Sequence, residues 1–496
     1  MTDPNPLDGA ARSTSPRAIA ARVSLVLAVC VAVFWVKLGS SSFAMSEAIR
    51  VLPAWEMIDR ADFVTPHLFG QPYLRKPPGM QWLVAASTEL LGKTEFAARA
   101  PSALALTIGA LVSMAFASRW FGSRWGVYAG LAHALTPMFW YAGRSAEIEA
   151  SHQLFVEVFL LAGVDLLARR GSHAVGMAAL SAVGILGAGL TKGPASAPCL
   201  AGLLVGAWAT RGSWKPALRP LWVLSVLAGA GLAFGAIGLI AARAAPLNPV
   251  TQSPAGFLWD TRKVASILLL PLIALGSAAP TTLAMLRLTR REPGEDPART
   301  LARMLSWTVV VSLAAYAVIG VSNNRYAMPA LAPVSVAVAF LMREANGRIT
   351  RVASARAVRR AVPAVLIAMS LLAAANVVWS EARRERISGR QAGEVIAASL
   401  KDGDEVWANQ VVEYRAEVLS YARRGCDRDG RSVRMRWMPG NGAGREAIPP
   451  RGTLVAVLVP RDPAVSVGEY ERAAEGWELI AKARVHKYEV ELRRAP

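Results

Sequence analysis

The sequence predicts a polytopic α-helical membrane protein with a small soluble α/β domain at its C-terminal end, and three observations lead there. Of the 496 residues, 53% are hydrophobic and only 18% are charged, outside the usual range of soluble globular domains. The apolar residues gather in runs of roughly 20, the length that crosses a bilayer core. Beyond residue 381 these runs stop and short β-rich segments take over.

The runs lie near 20–39, 97–117, 125–142, 150–168, 174–191, 194–210, 219–242, 264–286, 304–321, 326–342 and 361–380. They predict about eleven spans, and up to about 13, because Gly- and Pro-broken helices blur the ends. The first run is too long for a signal peptide and lacks a small-residue cleavage site, so it reads as a retained anchor. Basic residues fill alternate links: Arg12, Arg17 and Arg22; Arg119 and Arg124; Arg169 and Arg170; Arg211, Lys215 and Arg219; Arg299 and Arg303; Arg343 and Arg348. Lys and Arg are retained on the cytoplasmic side. A cytoplasmic tail over 1–19 and a multi-pass domain over 20–381 in the cytoplasmic (inner) membrane are therefore expected. The loop 41–95 and the C-terminal segment 382–496 then face the periplasm or exterior. These links account for the formal charge of +20, so no nucleic-acid partner is expected. The three cysteines, Cys30, Cys199 and Cys426, indicate neither a disulfide framework nor a thiolate metal site.

In the C-terminal segment "RQAGEVIAASL" has helical spacing, while "TLVAVLVP" and "HKYEVELRR" are β-rich and are separated by turn-forming residues. The outer loop 41–95 holds two amphipathic stretches, "SEAIRVLPAWEMIDRADF" and "PGMQWLVAASTELLG", suited to lying along an interface. Between them comes "TPHLFGQPYLRKPPGMQW", where Pro77 and Pro78 stiffen the chain directly after Lys76. An ammonium at headgroup depth suits a lipid phosphate; the other reading is a lysine that snorkels to bulk lipid. Lys192 and Arg325 flank spans on the outer side, against the positive-inside trend, and carry the same two readings. Glu147 and Glu149 open a predicted membrane helix with His152 on a similar face, so this cluster should face a cavity rather than lipid.

Taken in order, "SEAIRVLPAWEMIDRADFVTPHLFGQPYLRKPPGMQWLVAASTELLGKTEFAARAPSAL", "GRSAEIEASHQLF", "GLTKGP" and "NNRYAMPALAP", followed by a soluble tail, resemble the polyprenyl-phosphate-sugar glycosyltransferases of the GT-C fold. The likeness is greatest to the lipid A aminoarabinose transferase and protein mannosyltransferase group. It implies a GT-C fold and transfer of a sugar from a polyprenyl-phosphate donor to a lipid, glycan or protein acceptor on the outer membrane face, with inversion. It also implies roles. The family's Asp-Glu pair falls on Ser46 and Glu47, and its second acidic residue on Glu149, which makes Glu47 and Glu149 the candidate catalytic carboxylates. Lys76, Lys192, Arg325 and Arg144 become candidates for carrier phosphate and donor, with Ser46, Arg50, His152 and Tyr326 in support. The sequence departs from the pattern at Ser46, which has no carboxylate, and at Ile49, where the family arginine is one place later as Arg50. Arg75 stands where some members have a metal-holding glutamate, and the 243–262 loop has no histidine, so neither a divalent metal nor another cofactor is expected.

A carboxylate near an acceptor hydroxyl and cations near a leaving phosphate are what such a transfer needs. Two alternatives stay open: a GT-C-like protein that binds a lipid-linked glycan without transfer, and a membrane transporter, for which a long amphipathic loop and a soluble tail are less expected.

Overall fold

The computed structural model describes residues 15–44, 46–168, 173–247, 250–251, 285, 288–290, 296–319, 324–346, 355–408, 410–437, 451–460 and 474–496. The expected span 264–286 and most of the 243–262 loop lie outside the described residues. Each other expected span overlaps described helix in whole or in part. Among the described residues, eight helical stretches are long and apolar enough to cross a membrane.

Helix α1 (Pro16–Cys30) starts at a Ser15 cap with Pro16 in the first turn, where its missing N–H costs nothing. After a short π-helical turn the chain leaves the bundle and returns through α2 (Ala48–Arg60), a hairpin of β1 (His67–Leu68) and β2 (Gln71–Leu74), and α3 (Gly79–Leu91). The two amphipathic stretches of the outer loop are thus both helical. Next come α4 (Glu95–Phe121), capped by Thr94, then α5 (Ser123–Ala134) and α6 (Pro137–Gly143). The single span expected near 125–142 is two helices: Pro137 holds Thr136 in extended backbone and breaks the run.

Helices α7 (Ile148–Ala168), α8 (Ala174–Lys192), α9 (Ala197–Arg211) and α10 (Pro220–Ala244) complete the first half of the bundle. A two-residue strand β3 (Val250–Thr251) pairs parallel with β2. Helices α11 (Pro297–Val318), α12 (Ala332–Asn346), preceded by a 3-10 segment over Asn324–Leu331, and the 33-residue α13 (Ala355–Ile387) follow. Leu224, Leu227, Leu232 and Phe234 of α10 and Ile367, Leu371 and Trp379 of α13 are exposed, as residues facing lipid are.

The C-terminal unit holds α14 (Arg390–Ala398), β4 (Glu405–Ala408), α15 (Gln410–Arg428), β5 (Arg434–Trp437), β6 (Leu454–Pro460), β7 (Glu478–Val485) and β8 (Tyr488–Arg494). Its mixed sheet runs β5-β4-β6-β8-β7, parallel across the first three strands and antiparallel across the last three. Ala48, Leu68, Phe69 and Tyr73 of the outer loop join the core of this unit, so the loop is held between sheet domain and bundle.

Arginines tie one end of the bundle together. Arg22 donates to Ser123, Arg211 and Arg219 to carbonyls at the end of α7, and Arg303 to Thr210 O. The outer loop and the sheet domain sit at the other end of α7, about 30 Å away for a helix of this length.

Candidate functional site

The site is assembled where the outer loop meets the ends of α7, α8 and the 324–331 segment. Two sequence features set the approach. The Pro77–Pro78 pair ends the extended stretch after β2, and Gly79 lets α3 start against the end of α8. A Cβ on Gly79 would lie 2.6 Å from Leu190 O, so no larger residue fits without displacing backbone. At the same place α8 ends on Gly193, whose φ of +62° favours glycine. This docking brings Lys76 and Lys192 together across 116 residues of sequence, close enough that the Lys192 charge acts on Lys76. Burial, then the Arg50 and Lys192 charges, push the Lys76 ammonium down to about 8.

Lys192 is buried, its Nζ 3.3 Å from Glu149 Oε1 and 3.9 Å from the centre of the Tyr326 ring. Arg325 reaches both acidic residues, with Nη1 3.4 Å from Glu147 and 3.9 Å from Glu149. Arg50, on the first turn of α2, is fixed by the Tyr73 hydroxyl at 3.2 Å. Lys76, Lys192, Arg50, Arg325, Tyr326, Glu149 and Ser46 therefore converge, as a group that sequence spacing alone does not reveal. His152 lies one turn deeper, its Nδ1 3.3 Å from Thr191 Oγ1, and Glu149 Oε2 makes no hydrogen bond among the described residues.

Glu47 and Arg144 are placed differently. The Glu47 carboxylate is 2% exposed and receives Arg99 Nε at 2.8 Å, Arg99 Nη2 at 2.9 Å, Ala146 N at 2.9 Å and Ala44 N at 3.0 Å. Burial would raise its pKa, but the Arg99 and Arg384 charges and these hydrogen bonds outweigh it and hold it at about 2. A carboxylate so saturated has no lone pair turned toward a reactant. It clamps the loop after α1 to Arg99 of α4 and to the backbone just before Glu147. Arg144 is likewise spent on structure: it donates to the carbonyls of Val33 and Val36 and to Glu381 of α13 at 2.6 Å.

Two residues of weight lie outside the candidate catalytic and binding residues, Arg99 and Glu147, the latter named only within the acidic cluster that opens α7. Arg99, fully buried in α4, had a signal, since an arginine inside an apolar run is costly unless it has a partner. Glu147 had a weaker one, standing two residues before Glu149. It is buried, accepts Ser46 Oγ at 2.5 Å, and is held above the ordinary carboxylate range by burial and by the Glu149 charge, with Arg325, Arg50 and Ser46 opposing. Among the described residues no three His, Cys, Asp or Glu side chains gather as metal ligands. Arg75 instead lies over the Trp437 ring of the sheet domain, 5.6 Å from its centre.

Comparison with known proteins follows the same lines. The family described as dolichyl-phosphate-mannose-protein mannosyltransferase matches residues 75–234, which carry Lys76, Glu147, Glu149 and Lys192. The undecaprenyl phosphate-alpha-4-amino-4-deoxy-L-arabinose arabinosyl transferase of Aeromonas salmonicida is 31% identical over 107 residues, 21% of this chain and 20% of that protein. The aligned stretch thus spans about a fifth of that relative. Among solved structures, ArnT from Cupriavidus metallidurans in the apo state superposes with a TM-score of 0.68 at 18% identity, over 96% of this chain and 98% of that one. The same protein bound to undecaprenyl phosphate gives 0.63 at 19% identity, over 95% and 98%. The chain has the GT-C fold, with its sheet domain, and resembles the ArnT and protein mannosyltransferase group.

Proposed function

We propose that this GT-C protein is an integral membrane glycosyltransferase. It moves a sugar from a polyprenyl-phosphate-linked donor to a lipid, glycan or protein acceptor at the outer face of the cytoplasmic membrane, with inversion at the anomeric carbon. The observation that carries this reading is the convergence of Lys76, Lys192, Arg50 and Arg325 on two buried carboxylates at one end of an apolar bundle. The isoprenoid chain of such a donor stays in lipid while its phosphate reaches the lysines. The likeness to a fold that holds undecaprenyl phosphate in another protein supports the same assignment.

In the reaction the acceptor oxygen bonds to the anomeric carbon as the bond from that carbon to the phosphate oxygen breaks. The electron pair leaves with the polyprenyl phosphate, and the acceptor proton passes to a carboxylate of the site. Charge grows on the phosphate as the bond breaks, so cations already aimed there stabilise the transition state more than the ground state. Lys76 and Lys192 are assigned to the phosphate, with Arg325 and Tyr326 beside it. Glu149, held by Lys192, orients that cation and the sugar hydroxyls, while Glu47 and Arg144 hold the loops in place. The gathering of basic links at the far end of the bundle supports a cytoplasmic N-terminus and an external site.

Ser46, a hydroxyl where an acid is expected, favours a second reading, in which a lipid-linked glycan is bound and not transferred. One experiment separates the two. Purified protein is placed in phospholipid vesicles with polyprenyl-phosphate pentoses and hexoses and an extract of envelope lipids and glycans. Acceptor-dependent release of polyprenyl phosphate supports transfer. Donor binding with no turnover supports the second reading.

A further inference from the structure

We infer that Glu147 is the proton acceptor of this site and that the Ser46 hydroxyl positions it, an assignment that rests on the transferase reading above. The geometry separates the three carboxylates at the loop junction by what already holds them. Glu47 takes four hydrogen bonds, two of them from Arg99, and is closed to any further donor. Glu149 is bound by the Lys192 ammonium at 3.3 Å. Glu147 alone of the three receives its short contact from a neutral hydroxyl, Ser46 Oγ at 2.5 Å, with Arg325 further off at 3.4 Å. Its main chain is fixed too, because Glu147 O accepts from Ser102 at 3.4 Å and the preceding Ala146 N is held by Glu47. Glu47 therefore brings the two backbones that carry Ser46 and Glu147 into register.

Proton affinity follows from these surroundings. A carboxylate ringed by guanidinium and ammonium groups is a poor base, whereas burial and a neighbouring carboxylate raise the proton affinity of Glu147, and the Ser46 hydroxyl, bonded to its charged form, tempers that rise. Glu147 faces Glu149 of α7, Arg325 of the 324–331 segment, Arg50 of α2, Lys192 of α8, Ser46 of the outer loop and Tyr141 of α6. The adjacency of Ser46 and Glu147 has a second consequence: a carboxylate built at position 46 would place its oxygens close to those Glu147 now offers. The carboxyl function can then be supplied from either side of the same gap.

The test uses full-length protein in phospholipid vesicles with polyprenyl-phosphate sugars and the acceptor extract. Glu147→Gln is expected to lower kcat by about 10²- to 10⁴-fold, the usual worth of a general base, with donor KM within a few-fold. Ser46→Asp in the Glu147→Gln background is expected to return at least about tenfold of that loss. Ser46→Ala removes a hydrogen bond to the charged form and should move the acid limb of the kcat/KM profile to higher pH, a shift that a purely structural serine would not produce. That variant keeps the test decisive if Glu147→Gln does not fold. Wild-type turnover in Glu147→Gln, or an acid limb unmoved by Ser46→Ala, overturns the inference and leaves the transferase reading standing. Wild-type protein that binds donor and never turns over is the separate failure of that reading.

Discussion

Glu47→Gln converts the central carboxylate of the loop junction to an amide of nearly the same shape, and its cost can be worked out in two ways. The carboxylate and Arg99 are 2% and 0% exposed, and breaking a buried pair by removing one partner costs about 3–5 kcal/mol, because the remaining guanidinium stays buried without its counter-charge. Independently, a carboxyl held at about 2 instead of an ordinary 4.5 has its charged form stabilised by about 3 kcal/mol. The folded-state pKa is depressed, so this contribution is fully present above the ordinary carboxylate value and is lost as pH falls toward about 2. SDS titration in mixed micelles, followed by tryptophan fluorescence, should therefore show Glu47→Gln weaker than wild type by about 3–5 kcal/mol at pH 7. The difference should shrink as the pH is taken from about 4.5 toward 2. Turnover per folded molecule should fall far less than stability does. A Glu47→Gln protein as stable as wild type and devoid of turnover would refute the reasoning and return Glu47 to the chemistry.

Further outcomes follow from the phosphate cluster. Lys76→Met should raise the donor KM about 10- to 100-fold, the worth of a hydrogen bond to a charged group. Before donor binds, the Lys76 ammonium is charged below about 8 and neutral above it, so donor affinity should decline as pH rises through that value, and Lys76→Arg should hold affinity to higher pH. Gly79→Ala drives a methyl to within 2.6 Å of Leu190 O; it should cost about 1–3 kcal/mol in the same unfolding assay and weaken donor binding by parting Lys76 from Lys192.

Spans, outer-loop helices and the sheet domain were legible because each rests on local pattern. "TLVAVLVP" became β6 and "HKYEVELRR" holds β8, since a run of β-branched and apolar residues reads the same in isolation as in the sheet. The strands β4 and β5 are four residues each, too short to show a period. The break at Thr136–Pro137 was written in the sequence and outweighed by the apolar run around it. The site was legible only as a set of residue types. Lys76 and Lys192 meet because Gly79 admits a close approach of two helices, and Glu47 is turned away from the site because Arg99, 52 residues later, claims it. Such pairings depend on how helix ends are brought together, and no spacing encodes them. The Ser46–Glu147 contact is of the same kind: Ser46 stood out for the acid it lacks, and the carboxylate beside it comes from a different loop.

The most direct measurement of the central claim is mass spectrometry of polyprenyl lipids after purified protein in sealed phospholipid vesicles is given a polyprenyl-phosphate sugar and acceptor extract. The account predicts free polyprenyl phosphate together with a new glycosidic product, both dependent on acceptor and both suppressed by Lys76→Met. Labelled donor that crosses the vesicle wall chemically unchanged, or that remains intact under every acceptor condition, would contradict it.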